Sequence, residues 1–515
     1  MLAIAVCAAV DAQAQAAPGT RPRTLAEDLQ LFSQVLNQVR LNHADSTDQH
    51  KLMMAAVTGL LQAADPHSYV IPAVRLVPDR ERLLESGKLA PVPVSFLVIG
   101  GSPVVSSVAP GSSAAEVDIQ RGDVLLAVDG AAVAVASADE LDIALSGPKG
   151  THVALRLERE RLDGSRVTLE RRVRRERVAP ESAVRAATLL GDGIGYVRVT
   201  TFVGERIAAD LDAAMTRLER AGMRRLVLDL RDNGGGLVDE AARMAGGFLP
   251  SGSVVYTATG RRTDVVDTGV VSRSIFRAQR AFPLAVLVNE GTASAAELFA
   301  GAVQDHDRAV IIGRPTFGKS LLMRGFPLTD GSVLMLVVGH LRTPCGRVIQ
   351  RAYRDISVGE YYRSAGARRA TAGRPSCTTT GGRTVYGGGG IYPDVVLDRP
   401  QPLPMWAARL VEDDVLTAWA AAWSKQLGGT LGSLDAFAAD SGVPAGVHAA
   451  FRAFAQGRGA TIPDGHEADG HLTPLLREAL GAQRWGEEGR YRVAVAVDAE
   501  VRAAVRALRG DAAPR

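Results

Sequence analysis

At 515 residues, with 46% hydrophobic and 22% charged residues, the chain is too long for one hydrophobic core and too apolar to be disordered. Lys+Arg 59 against Asp+Glu 56 leaves a formal charge of +3, and with 5% aromatics no general pull toward nucleic acid or anionic lipid follows. Three cysteines, Cys7, Cys345 and Cys377, cannot build a disulfide framework or a four-ligand zinc site, and no cofactor or metal motif stands out; whether Cys345 and Cys377 pair is left open.

In chain order, the apolar run Leu2 to Val10 and the small-x-small triplets Ala12-Gln13-Ala14 and Ala14-Gln15-Ala16 read as an export signal over residues 1–16 that lacks its basic start, which points to a periplasmic or cell-envelope location. Elsewhere no uncharged apolar run reaches the roughly 18 to 20 residues needed to cross a bilayer, so any membrane link is terminal or peripheral. From Thr24 to about Val57 the pattern Leu25, Leu29, Phe32, Val35, Leu36, Val39 predicts helix with one apolar face, and Leu52 to Leu61 repeats it. This helical region, 24–90, meets a turn at Asp65-Pro66-His67-Ser68, where proline disfavours helix in the residue before it.

Residues 91–178 predict a small β-rich domain. Short strands cover Val104 to Val108 and Asp123 to Val128, Ser137-x-x-Glu140 forms a capping box, and two alternating runs around Asp163-Gly164 make a hairpin. The arginines from Arg156 to Arg177 fit a solvated strand face. The text from Arg121 to Gly130 resembles a PDZ domain of the bacterial protease type. That resemblance implies a strand edge at Val94, Phe96 and Leu97 that accepts a peptide strand, with Pro93 and Ser95 where glycines are usual.

From 185 to 400, strands and helices alternate, which predicts an α/β core. The strands are Ile194 to Val199, Leu226 to Leu230, Val254 to Thr257, Leu284 to Val288, Ala309 to Ile312 and Val333 to Val338; helices carry Ile207 to Leu218, begin near Val238, and run from Ala295 to Val303. The Arg- and Gly-rich stretch Gly346 to Gly390 reads as a solvated insertion, and 401–515 as a helical region without recognisable chemistry.

Two texts carry candidate chemistry. Gly313-Arg314-Pro315-Thr316-Phe317-Gly318-Lys319-Ser320 fits a phosphate-loop pattern after a strand, so nucleotide hydrolysis is an alternative; yet Gly325 and Pro327 leave no room for the helix such a loop must open. Ser294, between a buried strand and a helix, is either half of a Ser294-x-x-Glu297 capping box or a nucleophile beside the free amides of a helix start. A serine needs a base. Lys319 qualifies if burial lowers its pKa, and His67, His306 and His340 remain rivals. His466 to His471 lacks paired zinc-ligand spacing and reads as a loop.

Together with Gly195-Tyr196-Val197-Arg198-Val199, Leu228 to Gly236 and Gly390-Ile391-Tyr392-Pro393-Asp394, these texts resemble, in order, the C-terminal processing serine peptidases over roughly Leu25 to Asp398. The resemblance implies a crotonase-like α/β core joined to an inserted PDZ domain, with helical N- and C-terminal regions. It makes Ser294 the nucleophile, Lys319 the general base, and the amides of Gly235 and Ala295 the oxyanion hole. It implies no cofactor, and as partners proteins or peptides with accessible C-terminal tails, cleaved by acyl transfer. The alternative within the same fold is a non-catalytic PDZ peptide-binding scaffold, because Met323 stands where these enzymes usually carry a glutamine that aims the lysine.

Overall fold

The computed structural model describes residues 21, 23–73, 89–99, 102–109, 111–120, 122–133, 138–160, 165–177, 182–204, 206–271, 279–365, 373–413, 415–427 and 431–510. The export-signal segment, Ser137 and the Asp163-Gly164 turn lie outside them.

Two compact units divide the chain, residues 1–64 and 65–515. The first holds helices Leu25–Asn42 and Gln49–Ala64. The periodic pattern expected to run to about Val57 is broken at 43–48, because the Asp48 carboxylate accepts from the amides of His50 and Lys51 and starts a second helix. The apolar face of the first helix is exposed, with Leu29 at 58% and Val35 at 53%.

The core of the second unit is a six-stranded sheet in the order Val184–Leu189, Ile194–Val199, Arg225–Asp229, Leu284–Val288, Val310–Gly313 and Val395–Val396. Only the first pair is antiparallel. Side chains alternate across it, as pleating requires. Leu226, Leu228, Val286 and Val288 pack with helices Ile207–Arg220, Val238–Ala245 and Ala295–Asp305, whereas Val227, Ala285, Leu287 and Ile312 pack with Val501 and Ala504 of the last helix, Ala499–Arg509. Parallel strands need cover on both faces, and the C-terminal helix supplies the second.

A five-stranded antiparallel sheet joins Tyr69–Ile71, Val333–Arg342, Val254–Gly260 and Asp267–Val270, with Leu321–Pro327 also paired to Val333–Arg342. Leu321–Pro327 begins two residues after Lys319. The phosphate-loop reading fails here for want of its helix.

A separate antiparallel sheet carries Val94–Ile99, Ser102–Val108, Val124–Val128, His152–Glu160 and Arg166–Arg174 around its own core, which helix Ala138–Leu145 helps close. Val94–Ile99 is its edge strand. Val94 and Phe96 point into that core, while Leu97 is 57% exposed. Helices from Met405 to Trp485 form a further cluster around Trp419 and Phe451. The segment His466 to His471, expected as a loop, is the start of a helix, because Ala468, Leu472 and Leu476 recur at a four-residue spacing and bury one face. Among the described residues no helix is long and apolar enough to cross a membrane.

Candidate active site

Three loops leave the C-terminal ends of adjacent parallel strands, the edge of such sheets at which ligands bind. Arg231–Gly236 follows Arg225–Asp229, Asn289–Ser294 follows Leu284–Val288, and Arg314–Ser320 follows Val310–Gly313. Side chains tie the first two together: Asn289 Oδ1 accepts from the Asp232 amide at 2.8 Å, and the Thr292 hydroxyl donates to the Leu230 carbonyl at 2.8 Å. Backbone joins the second to the third, the Phe317 amide donating to the Thr292 carbonyl at 2.9 Å.

Ser294 caps the buried helix Ala295–Asp305 with φ 56° and ψ −121°, a left-handed backbone uncommon for a residue with a Cβ. The Glu297 carboxylate accepts from the Ser294 amide, whereas the Glu297 amide donates to the Ser294 carbonyl. Ser294 and Glu297 form the capping box that their spacing predicts, and among the described residues the Ser294 hydroxyl donates its own proton to no protein acceptor.

Glu297 is the hub of the site. Fully buried, it accepts from the Thr316 hydroxyl, the Gly318 amide at 2.7 Å, the Lys319 amide at 2.8 Å and the Ser294 amide at 2.9 Å. The Ser294 and Lys319 amides share the same oxygen, Oε2, so the two backbones are held within two hydrogen-bond lengths of each other. Burial pushes the Glu297 carboxyl up to about 7, against the pull of these donors. The sequence suggests only a helix cap for this residue, since its partners at 316–319 lie on a distant segment.

Lys319 is half-buried, and burial holds its amine below the ordinary lysine value, opposed by the charges of Glu297 and Asp65. Gly318 has φ +87°, and a Cβ there would meet Arg351 Cγ at 2.6 Å. Beside the lysine, Asp65 accepts from the amides of His67 and Ser68, both at 2.7 Å, and the Ser68 hydroxyl accepts from the Val337 amide, fixing the Asp65–Ser68 turn to the second sheet. Burial, and after it the charge of Lys319, push the His67 ring down to about 4. Its Nε2 pairs with the Tyr361 hydroxyl at 3.0 Å. His306 pairs with the Val254 carbonyl, His340 is exposed, and none of the three rival histidines bonds to Ser294 among the described residues.

Gly235 lies against the serine. Its φ is +91°, and a Cβ there would stand 2.7 Å from Ser294 Cβ and 2.9 Å from the Ala295 nitrogen, so only glycine lets the loop come this close. The Gly235 amide donates to Asn233 Oδ1 at 3.0 Å, whereas the Ala295 amide has no protein acceptor among the described residues. Val94, Phe96 and Leu97 belong to the separate sheet described above.

Much of the stretch 346–390 is exposed, as expected, yet Arg347, Gln350, Arg351 and Tyr361 within it are buried. Its arginines find partners: Arg347 pairs with buried Asp305, and the Arg351 guanidinium lies 4.4 Å from the Phe317 ring and 4.3 Å from the Tyr361 ring. Gln350 accepts from the Ser320 amide at 2.9 Å. A Cys345–Cys377 disulfide ties the ends of the part that carries these residues. Met323, on strand Leu321–Pro327, is paired in register with Val337.

Residues 193–358 match the family model described as peptidase family S41, and residues 104–159 match a PDZ domain model. The carboxy-terminal-processing protease of Bartonella bacilliformis is 30% identical over 329 residues, 63% of this chain and 73% of that protein. The carboxyl-terminal-processing protease of Synechocystis is 35% identical, covering 45% of this chain and 53% of its own length. Carboxyl-terminal-processing peptidase 2 of Arabidopsis thaliana chloroplasts is 36% identical over 52% of this chain and 53% of its own length. The chain thus spans about half the length of the latter two. Among solved structures, the photosystem II D1 C-terminal processing protease aligns at 27% identity with a TM-score of 0.37, covering 72% of this chain and 88% of that one.

Proposed function

The chain belongs to the carboxy-terminal-processing serine peptidases of family S41, and on that premise we propose that it cleaves proteins at or near their C-terminal tails, with Ser294 as nucleophile and Lys319 as general base. The observation that carries this reading is the shared acceptor Glu297 Oε2, which holds the Ser294 and Lys319 backbones side by side at the mouths of two parallel strands. The neutral Lys319 amine removes the hydroxyl proton as Ser294 Oγ attacks the scissile carbonyl carbon. The carbonyl oxygen, now an oxyanion, takes a hydrogen bond from the open Ala295 amide, and one from Gly235 once that amide turns from Asn233. The Lys319 ammonium returns its proton to the leaving amine as the peptide C–N bond breaks. Water, deprotonated by the same amine, then hydrolyses the acyl-enzyme and regenerates the serine.

The edge strand Val94–Ile99 is the proposed docking edge for the substrate tail, with the backbone of Val94 and Phe96 and the exposed side of Leu97 facing the incoming strand. The Cys345–Cys377 bridge supports an oxidising, periplasmic or cell-envelope location, since such bonds persist where thiols are not kept reduced. A fluorophosphonate probe tests the catalytic assignment. Wild type labels, Ser294→Ala does not, and Lys319→Ala labels far more slowly; equal labelling of all three removes the assignment.

A further inference from the structure

Behind the candidate active site, each of the three loops plants a charged side chain at its root: Arg231, Glu290 and Arg314. They converge on the start of the C-terminal helix Ala499–Arg509. Arg231 Nη1 lies 2.6 Å from Glu500 Oε2, and its Nη2 2.8 Å from Asp498 Oδ2 and 2.6 Å from Asp229 Oδ2. Arg314 pairs with the other oxygen of Glu500 and, through Nε at 2.7 Å, with Glu290. Arg231, Arg314 and Glu500 are each less than a tenth exposed, so little water screens these pairs. Asp498 caps the helix, accepting from the amides of Glu500 and Val501 at 2.8 and 3.1 Å, which fixes the position of Glu500. Val501 and Ala504, both buried, seat the helix on the sheet.

We propose that Glu500 is a positioning residue for the peptidase reaction: by bridging Arg231 and Arg314 it sets the spacing between the loop that carries Gly235 and the loop that carries Lys319, with Glu290 coupling in the loop that carries Ser294. The inference rests on the Ser294 and Lys319 assignment. Its physical basis is the reach of one carboxylate. Arg231 and Arg314 are like charges that separate when the anion between them is neutralised, and each heads a short, tightly turned loop. A shift at the root therefore arrives at the amide of Gly235 and the amine of Lys319. Neutralising Glu500 does not strip either arginine of all partners, because Arg231 keeps Asp229 and Asp498 and Arg314 keeps Glu290. The variant is thus expected to fold.

The test uses the full-length chain and a fluorophosphonate probe, comparing Glu500→Gln, Glu500→Asp, Val501→Ala and Ser294→Ala. The expected result is a maximal labelling rate lowered roughly tenfold to a hundredfold in Glu500→Gln, with the apparent probe affinity within about twofold of wild type. The pH at which labelling half-rises shifts in that variant, and Glu500→Asp recovers part of the rate. Val501→Ala, on the same helix, lowers Tm but leaves rate and pH profile unchanged at a temperature where it is folded. Should Glu500→Gln lower only Tm, labelling like wild type with the same pH profile, the positioning role is overturned while the Ser294 assignment stands. Should wild type and Ser294→Ala label equally, the assignment falls and the inference with it.

Discussion

Two buried carboxylates reach these loops from helices on opposite faces of the parallel sheet, Glu297 tying the Ser294 loop to the Lys319 loop and Glu500 tying the Arg231 loop to the Lys319 loop, and they hold them by different means. Glu297, in front, takes one hydroxyl and three backbone amides, all uncharged. Glu500, behind, takes two guanidiniums. Uncharged donors fix backbone position at hydrogen-bond precision without adding a cation beside the serine. A Glu297 carboxyl pushed up to about 7 also carries less negative charge toward Lys319, where a full charge would favour the ammonium over the free base. Strong ion pairing is placed on the far side, where it reaches the lysine's protonation only through loop spacing. Direct charge beside the lysine and strong ion pairing are thus kept at separate junctions.

Removing the proposed nucleophile or base gives the largest expected effects and tests whether the front junction serves chemistry. Ser294→Ala is expected to lower turnover by on the order of 10⁴-fold or more, and Lys319→Ala by nearly as much, measured as probe labelling and as peptide cleavage. Glu297→Gln keeps the shape but turns an NH₂ group toward N–H donors. A loss of roughly 10²-fold is expected, with a fall in Tm. If its rate equals that of wild type, the front junction is only a helix cap. The smaller loss in Glu500→Gln, described above, marks the rear junction as positioning.

The smallest catalytic effect is expected from Cys345→Ser with Cys377→Ser. Cutting a bridge that spans 32 residues removes about 4 kcal/mol of stability by loop entropy, read as a lower Tm, with labelling changed less than in either glutamate variant. Stability also depends on pH, and Glu297 and His67 contribute with opposite signs. Glu297 has a folded pKa above its ordinary 4.5, so its contribution to stability is full below that value and is lost as pH rises through about 7. His67 has the opposite sign, its contribution being full above 6.5 and lost as pH falls toward about 4. Denaturant titrations of Glu297→Gln and His67→Phe at several pH values measure each term.

The strand and helix alternation from Ile194 to Val338 is legible because buried parallel strands are short apolar runs and their covering helices are amphipathic. The texts around Ser294 and Lys319 stand out because each joins such a strand to a polar loop. The Glu297 hub is half legible. Its cap role is local, but its bonds to 316–319 depend on the neighbouring strand. Within 346–390, Arg347 and Arg351 are not legible, because arginine richness looks the same whether the partner is water, Asp305 or the rings of Phe317 and Tyr361. Glu500 is illegible for a plainer reason. It lies 269 residues from Arg231 and 186 from Arg314, and nothing in an alanine-rich amphipathic helix says which face of which sheet it covers.

The proposed chemistry requires an uncharged Lys319 amine beside Ser294 at neutral pH, and a titration of that amine is the sharpest test. The chain has only five lysines, so lysine labelled with ¹³C at Cε gives few signals, and Lys319→Arg identifies the one of interest. Expected is a Lys319 pKa well below the ordinary value of about 10.4, matching the pH at which fluorophosphonate labelling of Ser294 half-rises. A Lys319 signal that titrates near the ordinary value while labelling rises at much lower pH would contradict the account, because the base would then be another group.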